Sequence, residues 1–145
     1  MAFLYVIAAL ILAMFLVWSL VGGGRAIERA RAMDLRAKLE SFRQLADGWD
    51  GYDAKPIEPG ILEKAMHLVE CMEITGRCGH FEVFPCVDGT IQFELDRGGK
   101  EYWFIVNVER WHYLLSTNSD VLSEGECSDT ETVFDWMLRA MSLDR

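Results

Sequence analysis

The chain has 145 residues, enough for one domain, with 51% hydrophobic residues and a formal net charge of −9. Residues 39–145 hold 9 basic against 21 acidic side chains, a net charge of −12. That balance excludes sequence-independent binding to nucleic acid, which needs a basic surface.

The first element is AFLYVIAALILAMFLVWSLV, residues 2–21, with no charge and Ser19 as its clearly polar residue. Twenty apolar residues match the roughly 30 Å of a bilayer core, so the run predicts a transmembrane helix. Tyr5 and Trp18 sit near its two ends, where amphipathic rings favour the interface. A cleaved signal peptide is the competing reading, through VGGG at 21–24. The missing basic n-region and the length of the run weigh against it. Ala9 and Ala13 form a small-xxx-small pair, which allows homo-oligomerisation through this helix.

Gly22-Gly23-Gly24 then reads as a hinge. RAIERARAMDLRAK, residues 25–38, carries Arg25, Arg29, Arg31, Arg36 and Lys38 against Glu28 and Asp34. Basic flanks stay on the cytoplasmic side and attract anionic headgroups. The expectation is a single-pass protein of the inner membrane, N-terminus outside and body in the cytoplasm. The lipid bilayer is then one partner and Arg25, Arg29, Arg31 and Arg36 are membrane-proximal contacts. In that compartment Cys71, Cys78, Cys86 and Cys127 stay as free thiols.

Residues 25–46 have a helical period, with Leu35, Leu39, Phe42 and Leu45/Ala46 on one face. LADGWDGYDAKP, residues 45–56, follows. Asp47, Asp50 and Asp53 are three apart, whereas a calcium loop presents oxygens at alternate positions. Gly48 and Gly51 stand where turns need them. The stretch therefore reads as a corner, with Trp49 and Tyr52 as its informative residues. Pro59 at a first-turn position opens a second helix through about Met72, with Ile61, Leu62, Ala65, Leu68, Val69 and Met72 inward.

The period then changes to two. FEVFPCV (81–87), Asp88-Gly89 and TIQFEL (90–95) predict a hairpin. Gly98-Gly99 turns into EYWFIVNV (101–108), apolar on both faces. WHYLLS (111–116) and DVLS (120–123) read as a fourth strand and a short edge. Ser128-Asp129-Thr130-Glu131 predicts a capped final helix with Val133, Phe134, Met137, Leu138 and Met141 inward. The expected fold class is α+β: a single N-terminal transmembrane helix, then a cytoplasmic domain with helices on one face of an antiparallel meander of about four strands. The expected boundaries are 1–21 for the span, 22–46 for the hinge and basic helix, and 47–145 for the soluble domain.

Gly48-Trp49-Asp50-Gly51-Tyr52 with Ala54, Pro56 and Ile57, followed by a helix and VDGTIQFEL (87–95), resembles a segment of small, largely uncharacterised bacterial and phage proteins. The resemblance spans roughly residues 40–108. Its pattern has Ser-Pro at the helix start, where this chain has Glu58-Pro59-Gly60. It implies a fold and no activity.

No catalytic set is legible. Cys71, Cys78, His80 and Cys86 lack the C-x₂-C pairing of structural zinc sites. His67 lies between Glu63 and Glu70 on a helix, and His112 between Trp111 and Tyr113 on a strand. No nucleophile elbow or phosphate loop occurs. No metal and no cofactor is expected. Tyr102, Trp103, Phe104, Trp111 and Tyr113 crowd two adjacent strands. One sheet face must meet the helices, and the other, with Trp103, Ile105 and His112, is a candidate open surface. The leading expectation is a membrane-anchored, non-catalytic binding module for a protein partner, contacting it through Trp49, Tyr52, Trp103 and Trp111. The alternatives are a small membrane effector whose span oligomerises and perturbs the bilayer, as in phage defence, and a metal- or ligand-binding enzyme domain.

Overall fold

The computed structural model describes residues 2–117 and 120–142, and of residues 2–21 the side chains at positions 10, 11, 13 and 14 only. Three helices and five strands succeed one another as α1 (Ala2–Ser41), α2 (Pro59–Thr75), β1 (Glu82–Pro85), β2 (Ile91–Arg97), β3 (Lys100–Val106), β4 (Trp111–Thr117), β5 (Asp120–Cys127) and α3 (Thr130–Ser142). The strands pair in sequence order, all antiparallel, as one meander. The α+β class stands, with five strands in place of about four. β5 is eight residues long rather than a short edge, because its pairing with β4 continues past a bulge at Leu115/Ser116 up to Trp111↔Cys127.

The expected transmembrane helix is corrected. Among the described residues, no helix is long and apolar enough to cross a membrane. Spanning requires about 20 consecutive apolar positions. The described side chains of α1 belong mostly to its other half, which carries Arg25, Arg29, Arg31, Arg36 and Lys38. The remainder of 2–21, including Tyr5, Ala9 and Trp18, has side chains outside the described residues. The single-pass topology falls with the span, and the orientation and membrane placement deduced from it lose that basis. The glycine hinge is corrected as well. Helix α1 runs unbroken through Gly22, Gly23 and Gly24, since glycine permits a bend without enforcing one.

Nor is the segment after the glycines a separate spacer. Ala32, Leu35, Leu39 and Phe42 of that segment enter the main hydrophobic core. They recur at helical spacing and lay one stripe against α2. Arg36 Nη2 meets Glu73 Oε2 of α2 at 2.9 Å, and Arg31 Nη1 meets Glu28 Oε1 at 3.0 Å. Glu28 also accepts the backbone N–H groups of Cys78 (2.6 Å) and Gly79 (3.2 Å). Two of the four expected headgroup arginines are thus engaged in ion pairs within the fold. The helix ends in a 3-10 turn, Phe42–Gln44, and Leu45 leaves it with extended backbone.

Helix α2 begins at Pro59, where the missing N–H costs nothing, and stops at Gly76 in the left-handed conformation. Its buried residues are the six expected ones, Ile61, Leu62, Ala65, Leu68, Val69 and Met72. It packs on β2 and β3, while α3 packs on β4 and against α2. Helix α3 is capped one residue later than expected. Asp129 Oδ1 accepts the Thr132 N–H at 2.7 Å, so Asp129 is the cap rather than Ser128.

Helix α1 meets β1, where Lys38 Nζ lies 4.5 Å from the centre of the Phe84 ring, while α2 and α3 serve one side of the sheet. That side gathers Val83, Ile91, Phe93, Leu95, Tyr102, Phe104, Val106 and Trp111 into the core. Each such side chain is worth about 1.5–3 kcal/mol when fully buried. Further along β4, Tyr113 packs at a tilt of 55° against Trp136 of α3, with ring centroids 4.3 Å apart. Its ring lies over Gly125, where a Cβ would come within 2.4 Å of Tyr113 Cε1. Glycine is needed there for close approach, not for an unusual φ.

Candidate functional site

Strand alternation fixes what the other side shows. Cross-strand register places Phe84, Gln92, Ile105, His112 and Glu126 in one row. Glu82, Glu94, Trp103, Leu114 and Glu124 form the next row. Asp96, Glu101 and Ser116 form a third. Helix α1 reaches the β1 end of this face, where Lys38 Nζ lies 4.5 Å from the centre of the Phe84 ring, and among the described residues no helix lines its centre on β3 and β4. Trp103, Ile105, His112 and Leu114 are all half-buried, so they are shielded by neighbours yet reachable. The patch is apolar at its centre and acidic around it.

Two like-charge pairs stand directly opposite each other on this face, Glu82↔Glu94 and Asp96↔Glu101. Such pairs destabilise a sheet. Among the described residues, none of Glu82, Glu94, Asp96, Glu101 and Glu124 has an ion-pair partner. Glu126 does, through Arg110 Nη1 at 2.5 Å. Between Asp96, Gly99, Glu101, Trp103, Leu114 and Ser116 the surface dips into an open depression of about 550 Å³. Ser116 Oγ donates to Glu101 Oε2 at 3.2 Å from the floor.

The four expected contact residues separate. Trp103 is in the centre of the open face. Trp111 is fully buried on the opposite face, 6.1 Å from the Phe93 ring, and leaves the contact set. The reason is parity: Trp103 pairs with Leu114 and Trp111 with Val106, an odd number of residues away on β3. Its indole N–H has no hydrogen-bond partner among the described residues. Trp49 and Tyr52 belong to the corner. Gly48 donates to the Ala54 carbonyl (2.8 Å), Gly51 to the Gly48 carbonyl (2.9 Å), and Trp49 Nε1 to the Lys55 carbonyl (3.1 Å). Asp50 Oδ1 accepts the N–H groups of Tyr52 (2.9 Å) and Ala54 (3.2 Å), a side-chain-closed turn. Lys55 N–H reaches the Val87 carbonyl in the β1–β2 hairpin at 2.8 Å. Trp49 is half-buried and tied into this network, whereas Tyr52 is 87% exposed. The stretch is a corner that ties the end of α1 to the hairpin. Among the described residues, no three His, Cys, Asp or Glu side chains gather as a metal set.

Leu114, Asp96 and Glu101 are the site residues that sequence reading missed. Strand alternation continued from TIQFEL to Asp96, and across WHYLLS to Leu114, held part of the signal. Their juxtaposition depended on register, which no single strand specifies.

The remaining chemistry is quiet. All four cysteines are unpaired, and their thiols are pushed above the ordinary range, chiefly by burial. Cys78, wholly buried beside Glu28, is pushed up to about 11. A reactive cysteine needs the opposite shift. His67 is exposed, 3.6 Å from Glu70 and 3.9 Å from Glu131. Arg25 and Arg29 border an open depression with Glu28, Glu73 and the α2 C-terminus, in which basic and acidic groups alternate.

No protein-family model matches the chain, and no curated protein or solved structure matches it either.

Proposed function

We propose that this protein is a non-catalytic protein-binding module, and that its docking surface is the open face of the sheet around Trp103, Ile105 and Leu114. One observation carries the reading. Among the described residues, α2 and α3 pack on one side of β2, β3 and β4, and the opposite side keeps a tryptophan and two aliphatic side chains half-buried at its centre. Tryptophan at the middle of a patch, with polar groups around it, is the composition of an interaction hot spot. The raised thiols argue against nucleophilic catalysis. The corner resemblance bears on architecture alone and brings no activity.

Affinity capture with the full chain tests the reading. One protein should be recovered stoichiometrically by the native chain and by Val87→Asp, an exposed change in the hairpin loop. It should be lost with Trp103→Asp and with Leu114→Asp. Recovery undiminished by both open-face changes overturns the proposal.

A further inference from the structure

We infer that the partner is basic, and that the depression beside Trp103 receives one of its arginine side chains; this rests on the binding-module reading and specifies its chemistry. Asp96 and Glu101 stand opposite each other at the lip of the depression with no cationic neighbour among the described residues. The nearest basic residues in sequence, Arg97 and Lys100, pair with each other in register one step further along, on the helix side of the sheet. Arg97 donates to the Met141 carbonyl on that side. The chain thus leaves a repelling carboxylate pair on an open face and turns its own cations away from it.

The shape selects among cations. Ser116, itself buried, donates to one oxygen of Glu101, which lines the depression. Trp103 supplies a ring wall, and Leu114 supplies apolar surface for a methylene stem. A guanidinium can stack on the indole and bond the carboxylates through its planar fork at the same time. An ammonium has no flat face to stack and is more strongly hydrated. The outer acidic residues Glu82, Glu94 and Glu124 extend the same sign along the face, so the arginine belongs to a basic segment rather than to a free small molecule. Charge complementarity of this kind speeds encounter and sets register.

The probe is a fluorescein-labelled peptide of alternating arginine and leucine, titrated onto the full chain at low salt. Its counterparts carry citrulline, isosteric but uncharged, or lysine. The arginine peptide should bind at least 10-fold more tightly than the citrulline peptide and more tightly than the lysine peptide. Asp96→Asn, Glu101→Gln and Trp103→Ala should each weaken it several-fold, and Asp34→Asn on α1 should leave it unchanged. Without peptide, Glu101→Gln should raise the Tm, because it relieves the carboxylate pair, which also shows that the variant folds. Equal weakening by Asp34→Asn, or none by Asp96→Asn and Glu101→Gln, overturns the arginine site. If the captured protein still depends on Trp103 and Leu114 but not on Asp96 or Glu101, the open face stands and the arginine assignment alone falls.

Discussion

The two faces of the sheet are made from the same strands and nearly the same residue types, yet they do opposite work. Trp111 and Trp103 show it best. One is fully buried beside Phe93 on the side that α2 and α3 cover, and the other is half-buried among carboxylates on the opposite face. Hydrophobicity cannot separate them. Parity along the strand, and the side on which α2 and α3 settle, separate them completely. An exposed aromatic is a sign of recognition only once the element that would otherwise have covered it is accounted for.

Mutations can break this comparison, beginning on the covered side. Phe93→Ala removes a fully buried ring from the core. It should cost about 3–5 kcal/mol of unfolding free energy, measured by denaturant titration. Gly125→Val places a side chain where Tyr113 already lies, since a Cβ there meets its ring at 2.4 Å. Overpacking of this sort should cost about 1–3 kcal/mol and disturb the tilted Tyr113–Trp136 contact, visible in near-ultraviolet circular dichroism. On the open side, Trp103→Ala should change stability by less than about 1 kcal/mol while abolishing partner capture. A loss as large as that of Phe93→Ala would mean that the face is not open.

The smallest effect is at the α3 cap. Hydrogen bonds from Thr132 hold the Asp129 carboxyl below its ordinary pKa. A depressed carboxylate contributes stability that is fully present above the unfolded value, about 3.9, and is lost as pH falls through the lower folded value. Asp129→Asn should therefore be less stable than the native chain at neutral pH, and the difference should shrink below about pH 4 in parallel thermal melts.

Much of the fold was legible in the residues, for local reasons. Pro59, Gly76, Asp88-Gly89 and Gly98-Gly99 mark ends and turns by backbone chemistry that acts within a few residues. The corner at 45–56 was legible for the same reason, because Asp50 and the two glycines close it from within. The helical stripe Leu35–Leu39–Phe42 was visible too, but its destination was not. It reads equally well as a spacer or as core, and contact with α2 made it core. The site was half legible. Trp103, Ile105 and His112 followed from alternation in β3 and β4, whereas the Asp96↔Glu101 pair required the register of β2 against β3.

The apolar run at residues 2–21 marks the far limit of sequence reading. The sequence predicted a spanning helix, a hinge and a basic membrane-proximal helix set apart from the domain at 47–145. The structure instead continues one helix through Gly22–Gly24 and draws its basic half into the domain with Glu28, Arg31 and Arg36. What the sequence by itself determined is local: where helices and strands begin, where they turn, and which residues alternate. What only the tertiary structure decided is which alternating face the helices cover, because that choice is made by burying apolar area against distant elements. On that choice rests the difference between a core tryptophan and a recognition tryptophan.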